Sequence, residues 1–215
     1  MPARRGAKPR PFRVATYNLN GVTARLSNLL DWLADTAPDV VCLQELKTTD
    51  DRFPIAAIQA AGYGAIWRGQ KSWNGVAILQ RGATPIETRR ALPGDPIPDQ
   101  SRYIEAAVQG TVIGCLYAPN GNPVGSSKYD LKLAWYVRFA RHAAWLLGTG
   151  QPVVLAGDYN IIPTELDVYV PDRWRDDALF QPELKELIAG LTRTGWVDAL
   201  RTTHPDQHIY TFWKY

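Results

Sequence analysis

The stretch PVVLAGDYNIIPTELD, residues 152–167, runs the apolar side chains of Val153, Val154, Leu155 and Ala156 into Gly157, then into Asp158, Asn160 and Pro163. A short apolar, β-branched run bounded by Gly and Pro reads as a buried strand that ends in a turn. Gly, Asp and Asn tolerate turn geometry, so the polar end is compatible with a plain connection. The mouth of a buried strand is also where layered α/β folds gather their ligands. Both readings stand on this segment alone.

Upstream lies KYDLKLAWYVRFARHAAWLLG, residues 128–148, with Leu131, Trp135, Phe139, His142 and Trp145 among its recurring face positions, which predicts the longest helix. Nearer the N-terminus, FRVATYNL (12–19) reads as a strand, and RLSNLLDWLAD (25–35) places Leu26, Leu29, Leu30 and Leu33 at helical spacing before Pro38 ends the helix. DVVCLQEL (39–46) reads as a buried strand, and PIAAIQAAG (54–62) as a short helix that stops at Gly62. Three more strands are expected at GVAILQR, SRYIEAAVQ and TVIGCLYAP, the last two meeting at Gly110 in hairpin fashion. PELKELIAGLTRTG (182–195) is expected to be helical and YTFWKY (210–215) a final strand. The pattern is α/β with a large hairpin component, so mixed sheets covered by helices fit better than a purely parallel wound sheet.

A chain of 215 residues, 46% apolar and 21% charged, is expected to fold as one domain, spanning 12–215 behind a basic leader at 1–11. No apolar run approaches the roughly 20 residues of a membrane span. The leader lacks an apolar core and cleavage site, so the cytoplasm is the default expectation. Four positive charges (Arg4, Arg5, Lys8 and Arg10) lie in that leader while the whole chain carries +3, which suits nucleic acid or a merely solvated tail equally well. Cys42 and Cys115 sit in apolar strand-like runs and read as free thiols. Neither they nor His142, His204 and His208 have zinc-ligand spacing, so any metal must be bound through oxygen.

Three strand candidates end alike. Asn18 and Asn20 follow FRVATY, Glu45 follows VVCLQ, and Asp158 with Asn160 follow VVLAG. Separate strand ends can bring such side chains to one edge of the fold. Asp158 and Asn160 are two apart, and strand geometry sends i and i+2 to the same face, so both can reach one site. Carboxylates and amides without soft ligands suit Mg²⁺ or Mn²⁺, which polarise a phosphoryl oxygen and activate water. The chemistry that fits is phosphodiester hydrolysis. A fourth strand ends in LYAPNG, where the Tyr117 hydroxyl and the Asn120 amide could donate to a phosphate. Taken alone, that segment reads better as a half-buried aromatic followed by a turn; only the other strand ends weigh against it.

TYNLNGVTAR, PDVVCLQELK, GYGAIWRGQKSWNGVAIL, IGCLYAPNG, GDYNIIPTELDV, GWVDALR and YTFWKY follow one another in an order that resembles exodeoxyribonuclease III and the abasic-site endonucleases, of the endonuclease/exonuclease/phosphatase superfamily. The resemblance runs from Phe12 onward, and LQE-x-K together with GD-x-N-I-x-P-T-x-x-D carries most of its specificity. It implies a four-layer αββα sandwich of two mixed sheets flanked by helices, with the site at one edge. By matching position it implies Glu45 as the main magnesium ligand with Asn18 beside it, and Asp158 as the residue that activates or orients the attacking water. Asn160 would help hold that nucleophile and the scissile phosphate at the same metal site, and Tyr117 would contact the phosphate. Lys47, Lys71 and Asn120 match positions that hold the DNA backbone. Phe212 and Trp213 match an aromatic pair lining a pocket for a flipped-out, baseless sugar, the plain alternative being core aromatics on a strand. The implied cofactor is Mg²⁺, with Mn²⁺ able to substitute. The implied partner is double-stranded DNA with abasic sites or 3′ ends, acted on by a monomer.

Members of that family continue past the position of Tyr215 with an Arg-Ile-Asp-type strand and an Asp-His pair, and neither motif occurs in this sequence. His204, in RTTHPD, and His208 are not expected to replace them. The missing histidine would orient the phosphate and its neighbour would complete the metal site, a kind of loss that commonly costs ~10²-fold in rate. The 215 residues therefore read as a fragment or an incomplete sequence rather than as a natural truncated relative whose missing half comes from a partner, and alone are expected to be unstable or inactive. A non-catalytic nucleic-acid-binding relative is the alternative class, opposed by the retained Glu45, Asp158 and Asn160. A phosphatase or phospholipase of the superfamily is opposed by WRGQKSWNGVAIL and YTFWKY.

Overall fold

The computed structural model describes residues 10–212. Its logic is plainest in β2 (Val40–Gln44), which is buried along its whole length. Alternate side chains leave a strand on opposite faces. Val40 and Cys42 enter a core shared with Ile104, Ala106, Ile113 and Cys115, while Val41 and Leu43 enter another shared with Leu29, Leu33 and Ile58. A strand covered on both faces must read as an unbroken apolar run, which is why VVCLQ shows no alternation.

Around it, β1 (Val14–Asn18), β4 (Val76–Arg81) and β3 (Tyr63–Arg68) complete a sheet of order β1-β2-β4-β3, in which only β1 and β2 run parallel. Helices α1 (Leu26–Thr36) and α2 (Ile55–Ala60) cover its outer face through Leu29, Leu33 and Ile58. The second sheet, of order β5-β6-β7-β8, comprises β5 (Ile86–Arg89), β6 (Tyr103–Val108), β7 (Thr111–Tyr117) and β8 (Val153–Asp158). Here β7 and β8 are the parallel pair. Helices α3 (Ser127–Gly148) and α4 (Pro182–Arg193) cover the outer face of this sheet through Trp135, Tyr136, Phe139 and Leu184. The short α5 (Ala199–Thr203) follows. The result is the four-layer αββα sandwich of two mixed sheets that the resemblance implied.

The β6–β7 hairpin turns at Gln109 and Gly110, both at positive φ, as a two-residue primed turn requires. Two strands escaped the sequence reading. Tyr63–Arg68 carries Gly64 in its interior, where an added Cβ would stand 2.5 Å from the Ala83 carbonyl, so the glycine serves a close approach. Ile86–Arg89 is a solvent-facing edge strand with Ile86 70% exposed, so no apolar alternation marks it.

Two expectations need correction. The buried face of α3 is Tyr129, Lys132, Trp135, Tyr136, Phe139, His142, Ala143 and Leu146, whereas Leu131 and Trp145 are exposed. The expected final strand is absent among the described residues: Thr211 and Phe212 both donate their main-chain N–H to the Asp167 carbonyl, at 3.0 and 3.2 Å, instead of to a ladder. The remainder of that segment, including Trp213, lies outside the described residues.

Candidate active site

In each sheet one parallel pair brings two carboxyl-terminal strand ends level: Asn18 pairs with Gln44, and Tyr117 with Asp158. Edge strands β1 and β8 lie against each other across the two sheets. The four ends therefore converge. Asn18 Nδ2 donates to Glu45 Oε1 and to Asp158 Oδ2, both at 2.9 Å, so one amide bridges carboxylates from different sheets. The Tyr117 hydroxyl donates to Glu45 Oε1 at 3.0 Å, and Lys47 Nζ lies 2.8 Å from Glu45 Oε2.

Backbone strain sets these positions. Asn20, Glu45, Lys47 and Asn160 all lie in the left-handed region, with φ of 49°, 55°, 51° and 47°. Asn tolerates this, but Glu and Lys do so at a cost of order 1–3 kcal/mol, the kind of strain that clusters at functional sites. The segment past β2 is held there from both sides: Gly21 N donates to Glu45 O at 2.8 Å, and Lys47 N donates to Asn74 O at 3.0 Å. At Gly157, with φ +152°, an added Cβ would lie 2.0 Å from the Leu116 carbonyl oxygen.

Asp158 and Asn160 do meet, but not by strand periodicity, because β8 ends at Asp158. Asn160 instead turns back so that its main-chain N–H donates to Asp158 Oδ1 at 2.8 Å, the turn chemistry expected of Asp. Its side chain donates to the Ala118 carbonyl at 2.8 Å and accepts a long bond from Asn120 Nδ2 at 3.4 Å.

The two carboxylates are driven apart electrostatically. Burial pushes Glu45 up, but Lys47, Asn18 and Tyr117 outweigh it and hold the carboxyl below its ordinary value. Burial raises Asp158 above its ordinary value, the negative charge of Glu45 adds to this, and the Asn160 N–H and Asn18 only partly offset it. Titratable pairs separated in this way mark acid–base assignments. Burial, then the charges of Glu45 and Asp158, push the Tyr117 hydroxyl up, which keeps it a proton-bearing donor. Arg102, which the sequence did not single out, stacks its guanidinium 5.0 Å above the Tyr117 ring and donates to the carbonyls of Tyr117 and Ala118 at 3.1 and 3.2 Å.

Lys47 and Lys71 line one cavity of about 440 Å³ together with Thr23, Thr48, Thr49 and Arg52. Arg52 and the threonines had no motif to reveal them. Phe212 is half-buried and packs edge-on to Trp174 with ring centroids 4.6 Å apart, beside the cluster of Ile162, Val168, Leu179 and Phe180.

Among the described residues, no group of three or more Asp, Glu, His or Cys side chains is arranged to hold a metal. The strand-end cluster offers two carboxylates with amides and no sulfur or imidazole among its hydrogen-bonded members. In type this suits a magnesium-like cation, which binds through one or two carboxylates and keeps several waters. Asn18 turns its N–H groups, not its oxygen, toward the carboxylates, and its Oδ1 accepts from Asn20 N at 3.1 Å.

Comparison with known proteins agrees with this geometry. The profile of the Endonuclease/Exonuclease/phosphatase family matches residues 15–215. The DNA repair nuclease APEX1 of Danio rerio is 30% identical over 210 residues, covering 95% of this chain and 67% of the relative. Exodeoxyribonuclease III of Haemophilus influenzae is 31% identical over 214 residues, covering 94% of this chain and 79% of the relative. A solved AP endonuclease from Archaeoglobus fulgidus superposes with a TM-score of 0.89 at 32% identity, over 95% of this chain and 79% of that one.

Proposed function

The chain belongs to the endonuclease/exonuclease/phosphatase family, and on that premise we propose that it is a Mg²⁺-dependent DNA repair nuclease that hydrolyses phosphodiester bonds at abasic sites, trims 3′ ends of duplex DNA, or does both. The observation that carries the reading is the single hydrogen-bonded cluster of Asn18, Glu45, Tyr117 and Asp158, whose two carboxyls are shifted in opposite directions.

Glu45, ionised at neutral pH, would be the principal ligand of a divalent cation, with Asp158 and Asn160 around it and Asn18 orienting both carboxylates through its N–H groups. A divalent ion bound there supplies Lewis acidity toward a phosphoryl oxygen. Burial holds the Asp158 carboxyl above its ordinary value, which makes it the more basic of the two carboxylates, and it takes the proton from the attacking water. As the water oxygen forms its bond to phosphorus, the P–O bond to the departing strand breaks and the leaving oxygen keeps that electron pair. Charge growing on the non-bridging oxygens meets the second N–H of the Asn160 amide, and the Tyr117 hydroxyl, whose one proton would turn from Glu45 to the phosphate. Lys47, Lys71 and Asn120 hold the DNA backbone without reading sequence. No helix among the described residues is long and apolar enough to cross a membrane.

Incubating the full-length protein with a duplex containing one abasic site, with Mg²⁺ and with EDTA, tests the reading. Scission beside the abasic site that EDTA abolishes is expected. DNA binding without metal-dependent scission would favour a non-catalytic nucleic-acid-binding relative instead.

A further inference from the structure

We infer that Lys132, buried one layer beneath the strand-end cluster, is a positioning residue that locks the Asn120 and Asn160 loops into the geometry the phosphate needs; the inference rests on the nuclease reading above. Lys132 sits on the first turns of α3 and is 0% exposed. Burying an ammonium is expensive unless its donors are satisfied. Among the described residues no carboxylate lies within ion-pair distance of it, and Asp177 and Asp158 act on it only from farther away. Its Nζ instead donates to three main-chain carbonyls: Asn120 at 2.9 Å, Asn160 at 2.6 Å and Ala178 at 3.0 Å.

An ammonium has three N–H groups, and each goes to a different loop. One loop follows β7, one follows β8 and one precedes α4. Two of the three carbonyls belong to the residues whose side chains meet at the site, Asn120 and Asn160. The loop is also fitted to the lysine stem: a Cβ on Gly121 would lie 2.5 Å from Lys132 Cδ and 3.2 Å from its Cβ. Asn122 ties two of these loops, the one after β7 and the one before α4, a second time, accepting from Ala178 N at 3.0 Å and donating to Asp177 Oδ1 and Asn120 Oδ1, each at 3.0 Å. With its oxygen so fixed, Asn120 has its amide nitrogen directed at Asn160.

A neutral, apolar side chain at 132 would keep the packing and remove the shared donor of three carbonyls, that of Ala178 buried and those of Asn120 and Asn160 partly so, and each loop would move to find water or another donor. A displacement near 1 Å at reacting groups can cost about 10²-fold in rate.

The test compares the full-length wild type with Lys132→Met and with Leu33→Ala, a core truncation under the other sheet that lowers stability without touching these loops. Cleavage of the abasic duplex is measured well below all melting midpoints, and hydrogen exchange is measured over 118–122 and 158–162. Lys132→Met is expected to lower kcat about 10²-fold, leave KM within threefold, and raise exchange in both segments, while Leu33→Ala changes neither. A Lys132→Met kcat no lower than that of Leu33→Ala, or unaltered exchange in both segments, overturns the inference. Should Lys132→Met not fold, Gly121→Ala pushes the same loop off the lysine stem and must give the same two changes. An inactive wild type would refute the nuclease reading alone, since the exchange measurement still decides what Lys132 holds.

Discussion

Replacing Asn18 with alanine removes the one group that hydrogen-bonds both carboxylates. Glu45 would keep the Tyr117 hydroxyl on Oε1 and Lys47 beside Oε2, whereas Asp158 would keep only the Asn160 N–H on Oδ1 and lose the donor on Oδ2. Hydrogen bonds to charged groups contribute about 1.5–3 kcal/mol each. Water entering from the sheet edge recovers part of the two that are lost, leaving a net penalty of about 3 kcal/mol, or roughly 10²-fold in kcat/KM. The loss falls mainly on Asp158, whose carboxyl burial already raises and which Asn18 helps to pull down. Its pKa must therefore rise further in the variant, and the base is ionised only at higher pH. Initial rates on an abasic-site duplex at saturating Mg²⁺, taken across pH, should show the acid limb of Asn18→Ala displaced upward. A rate within threefold of wild type and an unmoved acid limb would refute the bridging role.

Other perturbations separate the strand-end cluster from the scaffold. Tyr117→Phe deletes one donor to Glu45 and leaves the ring under Arg102; it should lower kcat about 10²-fold, the usual cost of a lost transition-state donor, with the protein still fully folded at the assay temperature. Gly157→Ala forces a Cβ to within 2.0 Å of the Leu116 carbonyl, and should destabilise the protein by about 3 kcal/mol or more in urea unfolding. Asp39 tests pH-linked stability far from the cluster. The Arg13 main-chain N–H, with the guanidinium groups of Arg10 and Arg81 at 2.6 and 2.7 Å, outweighs burial and holds its carboxyl well below the usual range. A depressed carboxylate contributes stability above its unfolded pKa of about 4 and loses it as pH falls through the folded value. Asp39→Asn should thus cost about 1.5–3 kcal/mol at pH 7, and the gap to wild type should close under acid in denaturation measured at each pH.

What the sequence reveals follows from what burial does to pattern. Segments covered on both faces, such as Val40–Gln44 and Val76–Arg81, stand out as apolar runs, so the sheets were legible. The strand ends were legible too, because Asn18, Glu45 and Asp158 interrupt such runs abruptly. Ile86–Arg89, which faces water, left no such trace. Within the site, the left-handed backbone at Glu45 and Lys47 could not be foreseen, since neither residue type favours it and the hydrogen bonds that impose it come from Gly21 and Asn74. Lys132 was hidden for a related reason: a lysine on a long amphipathic helix reads as solvent-facing, and only the tertiary arrangement of three loop carbonyls makes its burial affordable. Arg102 was hidden because its role depends on lying over Tyr117, 15 residues away in sequence.

On the proposed reading Glu45 and Asp158, which follow or end strands of different sheets, form one cation-dependent phosphodiester-cleaving site. Its most direct test is the Mg²⁺ dependence of abasic-site cleavage by the full-length protein, wild type against Glu45→Gln. The wild type should cut with a saturable Mg²⁺ response that EDTA removes, and Glu45→Gln should require more Mg²⁺ and cut at least about 10²-fold more slowly. Equal rates for the two proteins, or scission that persists in EDTA, would contradict it.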